Sequence, residues 1–161
     1  MMYENITKDM IDKHIILGST VTGSLISVQD NDTVEARESM AILEWLDVLP
    51  SIELIIADPC EDPNQNECVI YGWYSDHSRN YLGSEDGSDL VKGMSYDLKN
   101  ADRYNIIDVD IANHMFLIYS KKNRKYLSVD MSESTDPDKG SYRIKADKEV
   151  PDESCIFCYA G

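Results

Sequence analysis

Asp76-His77-Ser78 sets an acid, an imidazole and a hydroxyl side by side, the three groups a nucleophilic hydrolase uses. Neighbours in one turn cannot converge on a substrate in that way, so a polar surface turn is expected there. The longer stretch Trp73-Tyr74-Ser75-Asp76-His77-Ser78-Arg79-Asn80 suits a different chemistry, sugar binding. An exposed aromatic stacks on the apolar face of a sugar ring, and polar side chains take its hydroxyls. Trp73 falls on an inward register with Leu17 and Ile118, which leaves Tyr74, Asp76, His77 and Asn80 as the carbohydrate contacts. Cys60 and Cys68 bracket a polar loop that a disulfide would close in an oxidising compartment; a reducing one leaves free or buried thiols. Cys155 and Cys158, three apart on a strand, face opposite sides and cannot bridge each other. His14, His77 and His114 are too scattered for zinc. The acidic turns at 84–89 and 130–138 lack the regular ligand spacing of a calcium loop. With no HExxH, P-loop or GxSxG either, catalysis, metal and cofactor are not expected.

The chain that must position these residues has 161 of them, 15 basic and 30 acidic, for a net charge of −15. That length suits one domain, 1–161, able to bury a core without disulfide staples. The negative excess repels nucleic-acid phosphates and anionic membrane faces, so neither is an expected partner. No apolar run reaches the roughly 18–20 residues of a membrane span, and Met1–Lys13 carries charges where a signal peptide needs an apolar centre. A cytoplasmic or leaderless-secreted monomer is the expectation.

The segments between turn signals are short and rich in Ile, Val, Leu and Tyr, as strands are. Helical periodicity is confined to a turn or two near Asn5–Asp12 and Glu38–Leu43. An internal repeat organises the strands. Ser19, Ser75 and Ser120 each close an apolar segment, and six residues later come Leu25-Ile26, Tyr81-Leu82 and Tyr126-Leu127. Val34-Glu35-Ala36, Val91-Lys92-Gly93 and Ile144-Lys145-Ala146 then supply a third strand in each unit. Fourth strands are read around Trp45–Val48, Ile106–Val109 and Cys155–Phe157. One such unit cannot bury its apolar face alone. Three equal units predict threefold closure, with six strands in a short barrel and six in hairpins capping one end. A jelly roll or sandwich would not require three matched turns. Ile15 and Leu17, Tyr71 and Trp73, and Phe116 and Ile118 are the expected barrel filling.

Arg124-Lys125-Tyr126-Leu127-Ser128-Val129-Asp130 resembles the Gly-Lys-Tyr-Leu-Ser element of fascin- and hisactophilin-type β-trefoil units. The resulting expectation is an all-β, β-trefoil domain: twelve strands in three pseudo-symmetric four-strand units, about 10–50, 51–110 and 111–161. Such core elements carry the fold and leave the ligand open. Ricin-type lectins show Gln-x-Trp in the fourth strand; here those places read Leu43-Glu44-Trp45, Asp102-Arg103-Tyr104 and Glu153-Ser154-Cys155. Heparin-gripping growth factors need a basic patch, and only Lys121-Lys122-Asn123-Arg124-Lys125 offers one, read as a solvated hairpin tip. Kunitz-type inhibitors place their protease-facing loop between the fourth and fifth strands, where this chain carries an apolar strand Ile52–Ala57 and then a polar loop with Asn64, Gln65 and Asn66. Mycocypin inhibitors use a glycine of the first hairpin against papain-like proteases and an asparagine of the hairpin between the fifth and sixth strands against legumain. Gly23 and Asn80 occupy similar places here, although either could serve only to shape its turn. The expected function is therefore a non-enzymatic protein binder, most concretely a cysteine-protease inhibitor. A lectin-like glycan binder is the alternative, and actin-binding or cytokine-like action comes third.

Overall fold

Alternation decides where each strand looks. Along Met115–Ser120 every second residue is buried, and the residues between remain half-exposed, the period-two pattern of a strand on the wall of a core. The computed structural model describes residues 14–23, 25–28, 34–37, 51–56, 67–74, 78–94, 98–136 and 141–160. The described chain is all-β. Its strands are β1 (His14–Ser19), β2 (Leu25–Val28), β3 (Val34–Arg37), β4 (Ser51–Ile56), β5 (Glu67–Tyr74) and β6 (Ser78–Gly83), followed by β7 (Lys92–Met94), β8 (Tyr104–Asp110), β9 (Met115–Ser120), β10 (Lys125–Asp136), β11 (Ser141–Lys148) and β12 (Phe157–Ala160). A 3₁₀ turn, Glu153–Cys155, precedes β12, with the Asp152 carboxylate accepting from the Ser154 amide. The two helical turns expected near Asn5–Asp12 and Glu38–Leu43 lie outside the described residues.

Antiparallel pairing runs in a cycle: β1 with β4, β4 with β5, β5 with β8, β8 with β9, β9 with β12, and β12 with β1. These six strands make a nearly closed barrel, and closure removes the exposed edges that an open sheet presents. The hairpins β2–β3, β6–β7 and β10–β11 are joined to it. The register repeats. Ile15 pairs Ile52, Cys68 pairs Tyr104, and Phe116 pairs Phe157. Phe157 faces Ser19, Ile52 faces Gly72, and Tyr104 faces Ser120. Gly18 opposes Leu25, Tyr71 opposes Tyr81, and Tyr119 opposes Tyr126. The two tyrosine pairs are tilted alike, with ring centroids at 5.0 and 5.1 Å.

The core follows the same triplets. Ile26, Leu82 and Leu127 are buried, as are Val34, Val91 and Ile144. Tyr104 is the largest wholly buried side chain besides Phe116 and Phe157, and its hydroxyl donates to the Leu82 carbonyl at 3.1 Å, so its polar end is satisfied. Turns repeat too: the Thr20 amide bonds to the Ile156 carbonyl and the Lys121 amide to the Arg103 carbonyl, each the residue just before a barrel strand.

Three details of the expected unit differ. The strand that pairs both β1 and β5 is Ser51–Ile56, where the sequence placed an insertion; Trp45–Val48 lies outside the described residues. In the last unit Cys155 sits in the 3₁₀ turn, and the strand begins at Phe157. In the second unit Gly72, not Ser75, holds the register of Ser19 and Ser120. That offset of three is odd, so it exchanges the two faces of β5. Cys68 and Ile70 join the core, and the expected Tyr71 is only half-buried against Tyr81; Trp73 pairs Arg79 in the register of β5 and β6.

Candidate functional site

The three-residue offset has a structural product, a longer hairpin arm. Four residues separate Ser120 from its partner Lys125, whereas seven separate Gly72 from Asn80. The ladder of β5 and β6 continues through Trp73 opposite Arg79 and Tyr74 opposite Ser78, beyond the point at which the β9–β10 turn closes. The stretch singled out for sugar or protease contact is this arm. Tyr74 lies at its last described pair, Asn80 at its base opposite Gly72, and the two are diagonal neighbours on the ladder. Asp76 and His77 lie outside the described residues, as do Asn64, Gln65 and Asn66 of the expected Kunitz-like loop.

Gly23 ends a turn, its amide donating to the Ser19 carbonyl at 2.9 Å, with φ at +68°. The β9–β10 turn repeats this geometry with an arginine: the Arg124 amide donates to the Ser120 carbonyl at 2.8 Å, and φ is 55°. The left-handed conformation is therefore a property of the turn, and glycine is its least strained occupant. Gly23 is also exposed, and a Cβ built on it would meet nothing within 4 Å. Its backbone stands open to an approaching surface.

The lysine-rich turn is not a free basic patch. Lys121 pairs Glu67 at 2.9 Å, and Arg103 reaches the same carboxylate at 3.5 Å. Lys122 pairs Asp86 at 3.0 Å, lies 3.9 Å from Asp102 and donates to the Ser84 carbonyl. Asn123 donates to the Ser88 carbonyl at 3.2 Å. These contacts bind the β9–β10 turn to the β6–β7 loop, so the cations brace the protein against its own acids. Three of the five residues in this cluster are thus engaged internally, which opposes the polyanion grip of a heparin-binding surface.

The described thiols are weak nucleophiles by position. Cys68 is free and wholly buried in the barrel, and burial, with Glu67 beside it, pushes its pKa up to about 12. Cys60, the other end of the expected loop closure, lies outside the described residues. Cys155 and Cys158 are also free, and burial raises both. Thiolate nucleophiles require the opposite setting, a lowered pKa and access. The acidic turn expected at 130–138 is strand β10 as far as Asp136; there Asp130 accepts from Lys145 at 2.8 Å and from the Ser132 hydroxyl, which together hold its carboxyl down at about 2. No grouping of three metal-ligating side chains occurs among the described residues. No helix among them is long and apolar enough to cross a membrane.

Sequence reasoning passed over one surface. Ile107 and Val109 face outward from β8, and Ile111 follows in the next turn; all three are exposed. Alternation in the sequence marks such residues as apolar but cannot tell which face is covered.

No family model matches the chain, and no curated protein matches it. Among solved structures it is similar to a Caenorhabditis elegans structural-genomics protein described as of unknown function. The TM-score is 0.66 at 11% identity, over 93% of this chain and 94% of that one. At that identity the likeness is one of fold.

Proposed function

We propose that the chain is a β-trefoil of twelve strands in three units, and a non-enzymatic binder that contacts a protein partner through loops at one end of the barrel. The six-strand cycle and the register triplets support the fold: Ile15, Cys68 and Phe116 take one position, and Ile52, Tyr104 and Phe157 another. The observation that carries the function is the lengthened β5–β6 arm. Its barrel framework repeats in three units, while this one hairpin runs three residues past its β9–β10 counterpart. Packing does not call for this extension, and a contact surface can use it. Held on a closed barrel, the arm loses little conformational entropy on docking, and inhibitors gain affinity in that way.

Cysteine-protease inhibition is the most concrete version of the proposal. Gly23 supports it: the β9–β10 turn is built with Arg124 at the same place, so the turn does not demand glycine, and bareness at 23 suits a backbone that enters a cleft. The test is a panel of papain-like, asparaginyl, aspartic and serine proteases run beside a glycan array. Dose-dependent inhibition of a papain-like enzyme is expected, and Gly23→Arg, which copies the tolerated residue of the sister turn, should abolish it while lowering stability by only about 1 kcal/mol. A silent protease panel with glycan retention lost in Tyr74→Ala would replace this proposal with the lectin-like one, since Tyr74 and Asn80 share the arm.

A further inference from the structure

Glycine follows an aspartate or asparagine at one step of this chain, Asp86-Gly87. That step occupies the middle of a four-residue turn, Glu85–Ser88, in the loop from β6 to β7. The Ser88 amide closes the turn by donating to the Glu85 carbonyl at 3.0 Å. Gly87 holds φ at +79°, the value of the third residue of a type II turn. The Asp86–Gly87 peptide takes no part in that hydrogen bond, and among the described residues the Gly87 amide has no acceptor. The Asp86 side chain is fully exposed, and a Cβ built on Gly87 would meet nothing within 4 Å.

An aspartate carboxyl carbon lies one bond short of a five-membered ring with the next residue's amide nitrogen. In other sequences the following side chain crowds that nitrogen, and glycine has none to do so. Attack of the Gly87 nitrogen on Asp86 Cγ forms the C–N bond of a cyclic imide, and the carboxyl hydroxyl leaves with the amide proton as water. Water then adds to either carbonyl of the ring. Opening at Cγ restores aspartate. Opening at the main-chain carbonyl leaves the chain running through Cβ and Cγ, which is isoaspartate, and frees the former main-chain carbon as a carboxylate. The sequence consumes no oxidant, reductant or cofactor.

We infer that Asp86-Gly87 is a site of spontaneous isomerisation, at which isoaspartate replaces aspartate at the tip of the β6–β7 loop. The two ends of the loop are fastened to the β9–β10 turn: the Ser84 carbonyl accepts from Lys122, and the Ser88 carbonyl from Asn123 at 3.2 Å. Lys122 also pairs the Asp86 carboxylate at 3.0 Å. Ring closure discharges that carboxylate, so the pair acts as a brake, and the step that overcomes it takes away one of the contacts binding loop to turn. The product presents the chemical group that isoaspartyl repair methyltransferases esterify, a carboxylate on the α carbon of a chain routed through Cβ. This site is separate from Gly23 and from the β5–β6 arm, and stands whether or not either binds a protease.

The test holds the full chain for weeks in warm, mildly acidic buffer. Samples are read by peptide mapping with electron-transfer fragmentation, which separates isoaspartate from aspartate. A second readout is methyl transfer from radiolabelled S-adenosylmethionine by an isoaspartyl methyltransferase. The methylated group is expected to accumulate with time, to map to residue 86, and to be absent from Asp86→Glu, whose ring would need six members. That variant keeps an exposed acid, so its thermal unfolding should match the parent. Lys122→Gln should speed accumulation roughly two- to fivefold, the scale of an exposed ion pair. Isoaspartate spread over the other aspartates would mark general ageing and overturn the proposal. So would its absence from the folded chain, whether or not the same chain in urea forms it, since the turn would then withhold the reacting geometry. A rate indifferent to Lys122→Gln would overturn the role given to the ion pair.

Discussion

Gly23 and Arg124 are one backbone position in two sequences, and comparing them separates what the turn needs from what the residue adds. Both hold positive φ, at 68° and 55°, and a non-glycine residue meets steric cost there of about 1 kcal/mol. Gly23→Ala should therefore destabilise the chain by about 1 kcal/mol, and Arg124→Gly should stabilise it by a similar amount, each read from urea unfolding. No collision adds to the first figure, because the space around Gly23 is open. A loss well above 2 kcal/mol would mean that the turn is held by something other than its dihedrals.

Cys68 makes a prediction of opposite character, because its chemistry is suppressed by packing. Its thiol is raised from about 9 to about 12, so the folded state keeps the proton that the unfolded chain gives up. The sign follows: this contribution is intact below pH 9 and is lost as pH rises toward 12. Cys68→Ala should lower stability at neutral pH by about 1–2 kcal/mol through the lost sulfur volume, yet flatten the alkaline decline. In the native protein at pH 8 a thiol reagent should label Cys158, which is half-buried, well before Cys68.

Among the elements, the β5–β6 hairpin runs three residues past its β9–β10 counterpart. Deleting Ser75–His77 would leave Trp73, Tyr74, Ser78 and Arg79 between Gly72 and Asn80, four residues, as in the turn from Ser120 to Lys125. The shortened chain should fold with a thermal midpoint within a few degrees of the parent and lose inhibition or glycan binding alike. Unfolding on deletion would show that the arm supports the barrel. The same hairpin explains where sequence reading succeeded and where it missed. Tyr81-Leu82 and Tyr126-Leu127 are legible because each is a tyrosine–leucine pair standing six residues after a serine, and Leu82 and Leu127 are indeed buried. Ser75 was misplaced because it stands six residues before Tyr81, as Ser120 does before Tyr126, although the chain reaches that tyrosine by a longer path. Counting residues cannot reveal a hairpin that has grown evenly on both sides. β4 is missed by the sequence for a related reason: Trp45–Val48 and Ile52–Ala57 read equally well as strands, and only pairing with β1 and β5 marks Ser51–Ile56.

At the scale of the whole molecule, the net charge of −15 is the property most open to a kinetic test. The 15 cations are already counted in that figure, and several are held in pairs: Lys121 and Arg103 with Glu67, Lys122 with Asp86, and Lys145 with Asp130. Pairing leaves the net charge unchanged, so a partner at a distance meets the field of the whole −15. A basic protein should then be drawn in from a distance. At low salt the association rate should exceed the ordinary 10⁵–10⁶ M⁻¹s⁻¹ range, and it should fall as salt shortens the screening length from about 30 Å at 0.01 M to about 8 Å at 0.15 M. Dissociation, governed by short-range contacts, should change little over the same range. Stopped-flow association with a captured protein partner across that salt series separates the possibilities. A steep decline in the association rate alone supports steering by the molecule's field onto a basic surface. A flat response would mean that the partner is neutral where it docks, which is the behaviour expected of an uncharged glycan, and would turn attention to the aromatic positions of the β5–β6 arm.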